Sequence, residues 1–84
     1  MEIVIVTGLS GAGKTAALNV LEDEGYLSID NLPTPLIRDL VELMEETPEI
    51  NKIALALDQR GRVFKRELYK TIKDLKDDYG AKVL

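Results

Sequence analysis

Ile3-Val4-Ile5-Val6-Thr7-Gly8-Leu9-Ser10-Gly11-Ala12-Gly13-Lys14-Thr15 is the stretch that decides how this chain folds. Its first four residues form a β-branched run, the composition of a strand buried on both faces. Gly8 to Thr15 then matches the phosphate-binding pattern of glycine, four residues, glycine, lysine, and serine or threonine at every fixed position. From Lys14 to about Glu24 the spacing sets Ala17, Leu18 and Leu21 on one helical face, and Gly25 follows as a C-terminal cap. Strand, glycine loop and amphipathic helix in this order are the context that the pattern requires.

Each residue type in the loop has a physical reason. Gly8, Gly11 and Gly13 allow backbone conformations and close approaches that a Cβ would obstruct, so that Gly8, Leu9, Ser10, Gly11, Ala12 and Gly13 can wrap amides around an anion. The helix start adds the positive end of its dipole. Lys14 supplies a mobile charge for the outer phosphates, and Thr15 offers a hydroxyl to magnesium.

Working outward, Tyr26-Leu27-Ser28-Ile29 reads as a second strand ending at Asp30, and Asn31-Leu32-Pro33-Thr34-Pro35 as a loop interrupted by two prolines. Leu36, Ile37, Leu40, Val41, Leu43 and Met44 recur at helical spacing before Pro48. Ile53 to Leu57 reads as a third, central strand leading into Asp58, although Ala54 and Ala56 also suit a helix. A last helix from about Arg62 to Tyr79 carries the stripe Phe64, Leu68, Ile72, Leu75 and Tyr79, with Gly80 as terminator and Ala81–Leu84 as the start of a fourth strand. This alternation predicts an α/β fold, a three-layer α/β/α arrangement of the P-loop NTPase type with a mainly parallel sheet. The single unit 1–84 reads as the incomplete N-terminal part of a nucleotide-binding domain, because an apolar strand ends it with nothing after to cover the sheet.

Composition narrows the function classes. A hydrophobic content of 45% with 31% charged residues supports one globular core. A net charge of −4 argues against a surface built to hold a nucleic-acid backbone. With neither cysteine nor histidine, the chain has no disulfides, no thiolate or imidazole metal site and no neutral-pH imidazole base, while oxygen ligation of magnesium stays open. Ile3–Val6 is too short to span a membrane and leads into a glycine loop, so the expected location is the cytoplasm.

Several polar residues accompany the loop. Asp58, at the end of an apolar strand, reads as the acid that holds magnesium through water or as an ordinary strand-ending aspartate. Asp58-Gln59-Arg60-Gly61 fits an aspartate-x-x-glycine turn whose glycine amide could approach a γ-phosphate, and equally a turn that opens a helix. Asp30 falls at the same sheet edge as the loop, as a water- or substrate-positioning carboxylate or as a residue closing a turn with Asn31. Thr34 could reach magnesium or be structural. Arg60, Arg62 and Arg66 could pair with phosphate, but solvated surface arginines fit them better. Glu45, Glu46, Glu49, Asp74, Asp77 and Asp78 read as solvated helix ends.

The residues Gly8–Thr15 followed by Ala17-Leu18, then Leu21-Glu22-Asp23, Gly25-Tyr26, Ile29-Asp30-Asn31-Leu32-Pro33 and Leu57-Asp58-Gln59-Arg60-Gly61 resemble the RapZ/YvcJ P-loop nucleotide-binding proteins, also described as RNase adapter proteins. The resemblance covers most of the chain. It implies binding and slow hydrolysis of ATP and GTP, with ATP contacts at Gly8–Thr15 and GTP contacts at Asp58–Gly61. It also implies that any RNA or ribonuclease partner would act through a C-terminal domain outside these residues. The asparagine-lysine-x-aspartate motif that reads guanine in typical GTPases is missing, since Asn51-Lys52-Ile53-Ala54 lacks the acid and enters a strand. The expected function is thus a magnesium-dependent ATP or GTP binder that hydrolyses slowly and acts as a switch, with catalytic roles for Lys14, Asp58 and Asp30 and metal contacts from Thr15 and Asp58. A small-molecule or nucleotide kinase and a nucleotide-sensing interaction module are the rival readings.

Overall fold

In the computed structural model the described residues are 1–8, 10–57 and 65–84, with Lys65 described in its backbone only. Among the described residues the elements follow in the order β1 (Glu2–Val6), α1 (Gly11–Asp23), β2 (Leu27–Asp30), a 3-10 turn (Thr34–Leu36), α2 (Ile37–Glu45), β3 (Lys52–Ala56), α3 (Lys65–Tyr79) and β4 (Lys82–Val83). The strands form one sheet in the order β2-β3-β1-β4, and every pairing is parallel. β3 and β1 are therefore interior strands, as their continuous apolar runs require.

Side-chain alternation divides the core into two faces. Ile3, Ile5, Ile53, Leu55 and Leu57 point toward α2 and α3, where Ile37, Val41, Leu68 and Leu75 are buried against them. Val4, Val6, Ala54 and Ala56 face α1, which buries Leu18 there with Ala17, Leu21 and Tyr26 alongside. The alanines that made β3 ambiguous in sequence thus lie under α1, where small side chains let a helix sit close to the sheet. One helix on one face and two on the other give the expected three layers.

Turn chemistry fixes the boundaries. Gly25 adopts φ +92 and, with Tyr26, closes α1 by a paired motif in which the Gly25 amide donates to the Glu22 carbonyl at 3.0 Å and the Tyr26 amide to the Leu21 carbonyl at 2.9 Å. Gly80, at φ +66, ends α3 with its amide on the Lys76 carbonyl at 3.1 Å. Three expectations shift. Thr34–Leu36, the end of the predicted loop and the first residue of the predicted stripe, forms a 3-10 turn, and α2 proper begins at Ile37. Within the predicted stripe Leu36 and Leu43 lie on the solvent flank, and Ile37 and Val41 carry the burial. β2 begins one residue later than read, at Leu27, and ends at Asp30 as read. Phe64 and the predicted helix start at Arg62 lie outside the described residues. Among the described residues no helix is long and apolar enough to cross a membrane.

Candidate functional site

The carboxyl edge of the sheet holds the described candidates Gly8, Ser10–Thr15 and Asp30. β1 ends at the buried Val6, Thr7 is half-buried, and Gly8 takes φ +75, a left-handed conformation that favours glycine and turns the chain away from the sheet. Leu9 lies outside the described residues. Ser10, extended at φ −63 and ψ 165, is the N-cap of α1, and its hydroxyl accepts from the Gly13 amide at 3.1 Å. The Lys14 amide donates to the Ser10 carbonyl at 2.8 Å, and the Thr15 hydroxyl donates to the Gly11 carbonyl at 3.1 Å. The helix accordingly begins at Gly11, one turn earlier than the sequence predicts, because Ser10 caps it and the Gly11-Ala12-Gly13 turn adopts helical form. Ser10, Gly11, Ala12 and Thr15 are exposed, while Gly13 and Lys14 are half-buried.

Asp30 belongs to the same edge. In register it stands beside Ala56, which stands beside Val6, so the three form a row across β2, β3 and β1. Ala56 packs toward α1, which places Asp30 on that face as well. Two residues earlier on β2, the Ser28 hydroxyl donates to the Leu18 carbonyl at 3.3 Å, tying strand to helix. From that tie the strand climbs about 6.6 Å to Asp30 and the antiparallel helix climbs about 6 Å to Lys14. The backbones of Asp30 and Lys14 thus lie at about the same height along the sheet. Asn31 follows at φ 59, which asparagine tolerates better than other side-chain-bearing residues, and its amide donates to the Ala56 carbonyl at 3.3 Å. This bond extends the β2–β3 ladder past Asp30 and then turns the chain.

Asp58, Gln59, Arg60 and Gly61, with Arg62, lie outside the described residues. What is described is their approach: Leu57 is buried, and its amide donates to the Val6 carbonyl at 3.0 Å. Leu57, the last described residue before Asp58, is thus held level with the end of β1. Arg66 is exposed on α3. Thr34 lines a cleft of about 370 Å³ between the 3-10 turn, α2 and α3, together with Arg38, Lys70 and Thr71.

Some features carried little or no sequence signal. Arg38 bridges Asp74 at 3.6 Å and Asp78 at 3.5 Å, so two of the acids read as solvated helix ends tie α2 to α3. At the opposite sheet edge the Tyr26 hydroxyl donates to Glu2 at 3.0 Å, and this bond to a carboxylate, ahead of desolvation, raises the tyrosine's pKa. Lys52 stands 5.4 Å over the Tyr26 ring and also donates to the last-turn carbonyl of Glu24. Ser10 directly precedes the observed helix start, where serine is a favoured cap, whereas a helix read from Lys14 leaves it in the loop.

The family model of the RapZ-like N-terminal domain matches residues 1–84. The chain belongs to that family. In this chain the parallel sheet sets the described candidates Gly8, Ser10–Thr15 and Asp30 at its carboxyl edge.

Proposed function

We propose that this RapZ-like domain binds ATP or GTP with magnesium at Gly8–Thr15 and hydrolyses it slowly, as a switch. The observation that carries the reading is the left-handed φ of Gly8 between a buried central strand and the N-terminus of α1, an order in which main-chain amides and the helix dipole favour an anion. Membership of the RapZ-like family supports nucleotide as the ligand.

In this reading the loop amides bind the phosphates, and Lys14 stabilises charge on the phosphoryl group as it transfers to water. Asp30, level with Lys14 over the α1 face, orients that water. Magnesium fits the donor chemistry: Thr15 gives its proton to the Gly11 carbonyl and keeps lone pairs for a cation, and the chain offers oxygen donors but neither histidine nor cysteine. Thr15 and Asp58 would hold the ion, which would neutralise phosphate charge. Among the described residues no group of three or more acids gathers into a metal cage, in keeping with an ion held mainly by the nucleotide's own phosphates. With Asp30 as the sole base candidate on the described edge, turnover is slow and occupancy is the quantity a partner would sense.

Calorimetric titration with ATP, GTP and their diphosphates, with and without magnesium, tests the reading. Lys14→Ala should weaken triphosphate binding at least about tenfold, the effect of losing one charge-assisted contact. Equal affinity in the mutant, or no polyphosphate binding by the folded parent, rejects it.

A further inference from the structure

Two of the amides that the phosphate reading enlists, those of Gly13 and Lys14, are already engaged within the loop. The Gly13 amide points at the Ser10 hydroxyl oxygen, the Lys14 amide at the Ser10 carbonyl and the Thr15 hydroxyl at the Gly11 carbonyl, at 3.1, 2.8 and 3.1 Å. Each amide has one hydrogen to give. A phosphate oxygen that takes the Gly13 amide must displace the Ser10 hydroxyl, and one that takes the Lys14 amide must open the Ser10–Lys14 turn.

We propose that Ser10 sets the affinity of the loop by standing in for phosphate: its two oxygens hold the Gly13 and Lys14 amides in the free protein, and a polyphosphate binds only by exchanging with them. The inference rests on Gly8–Thr15 being the phosphate site. Three features make the exchange feasible. The turn Gly11-Ala12-Gly13 contains two glycines, which lose more backbone freedom in a helix than other residues and so unwind readily. Ser10, Gly11 and Ala12 are exposed, so ligand and water reach the bonds to be broken. The displaced hydroxyl returns to solvent without leaving a buried polar group behind. The helix beyond Lys14 is anchored by Leu18 in the core and by the Ser28 hydroxyl on the Leu18 carbonyl, which confines the rearrangement to one turn.

The competition has a measurable sign. Removing the cap oxygen destabilises the free, closed loop and leaves the liganded loop untouched, so binding tightens. Ser10→Ala should bind magnesium–ATP and inorganic triphosphate about 2- to 30-fold more tightly than the parent in calorimetry, the span of an N-cap serine's contribution. Ser10→Thr, which keeps a cap oxygen, should stay within about twofold of the parent. A parallel measurement needs no variant: the Cα chemical shifts of Gly11–Gly13 should be helical in the free protein and lose that character at saturating triphosphate. If the parent binds triphosphate but Ser10→Ala binds it equally or more weakly, Ser10 is a bystander or a direct ligand and the proposal falls. Helical shifts that persist in the saturated parent overturn it too, even should Ser10→Ala fail to fold. A folded parent that binds no polyphosphate defeats the site reading itself, a result distinct from either.

Discussion

Replacing Gly11 by alanine should make the protein more stable and its loop a poorer binder. At Gly11, Gly25 and Gly80 an added Cβ would meet nothing within 4 Å, so packing does not decide the outcome and backbone conformation does. Gly25 and Gly80 have φ +92 and +66, whereas Gly11 is not left-handed and forms the first helical residue of α1. In a helix alanine is favoured over glycine by about 0.5–1 kcal/mol. In a chain of this size that raises the melting temperature by about 2–8 °C. In the left-handed region a Cβ costs about 1–2 kcal/mol, offset in part by about 0.4–1 kcal/mol from a stiffer unfolded chain, so Gly25→Ala should lower it. The stabilised turn is the one that must open for phosphate, so Gly11→Ala should also weaken triphosphate binding about two- to fivefold. Thermal unfolding followed by circular dichroism, with calorimetric titration of the same samples, reads both signs. A Gly11→Ala protein that melts lower, by as much as Gly25→Ala does, would show that α1 does not begin at Gly11.

Two further expectations concern the ends of the sheet. Asn31→Gly should leave stability and nucleotide binding close to parental, since glycine takes φ 59 freely, while Asn31→Val should cost about 1–2 kcal/mol in denaturant unfolding; equal melting of the two variants would show that the left-handed turn beside Asp30 is not required. The Tyr26 hydroxyl donates to Glu2 only while protonated, and its pKa is raised in the fold. The bond's contribution is therefore complete below the ordinary tyrosine value of about 10 and is lost as pH rises through the raised one. Tyr26→Phe should remove one of the tyrosines that titrate above the ordinary value, Tyr79 being raised as well by its bond to Glu45, and should flatten the alkaline fall in stability; an unchanged absorbance titration would refute this.

Much of this fold is legible because its strands and turns are locally determined. Ile3–Val6 is apolar enough to be buried on both faces, and Gly25 and Gly80 mark helix ends that no other residue closes as cheaply. The helices were legible to within a turn, but their faces less so: Leu36 and Leu43 share the period of the α2 stripe and lie on its flank, a matter of helix rotation against the sheet that spacing does not encode. At the site the pattern Gly8–Thr15 names the residues and not their state. Ser10 can serve as cap or as loop residue, and which it does depends on whether an anion competes for the same amides. The left-handed Asn31 could be guessed from the Asp30-Asn31 turn, but its bond to Ala56 is a long-range consequence of strand order.

The net charge of −4 is compatible with gripping a polyanion because of where the charges fall. Parallel strands joined by helices send every helix back toward the amino edge of the sheet. The acids of Glu22, Asp23 and Glu24 close α1, Glu45 and Glu46 close α2, and Asp77 and Asp78 close α3, so they gather at the edge far from Gly8. Acids at helix C-termini oppose the dipole and cost a few tenths of a kcal/mol each, so helix stability alone does not favour this arrangement. The length of α1, about 20 Å at 1.5 Å per residue, separates those charges from the loop by roughly two Debye lengths at physiological salt. Their repulsion of a bound triphosphate is screened, while the loop's donors act at contact distance. Binding by main-chain amides and one lysine therefore needs no basic surface, and the acids at the helix C-termini, which contribute much of the negative charge, stand too far away to oppose it.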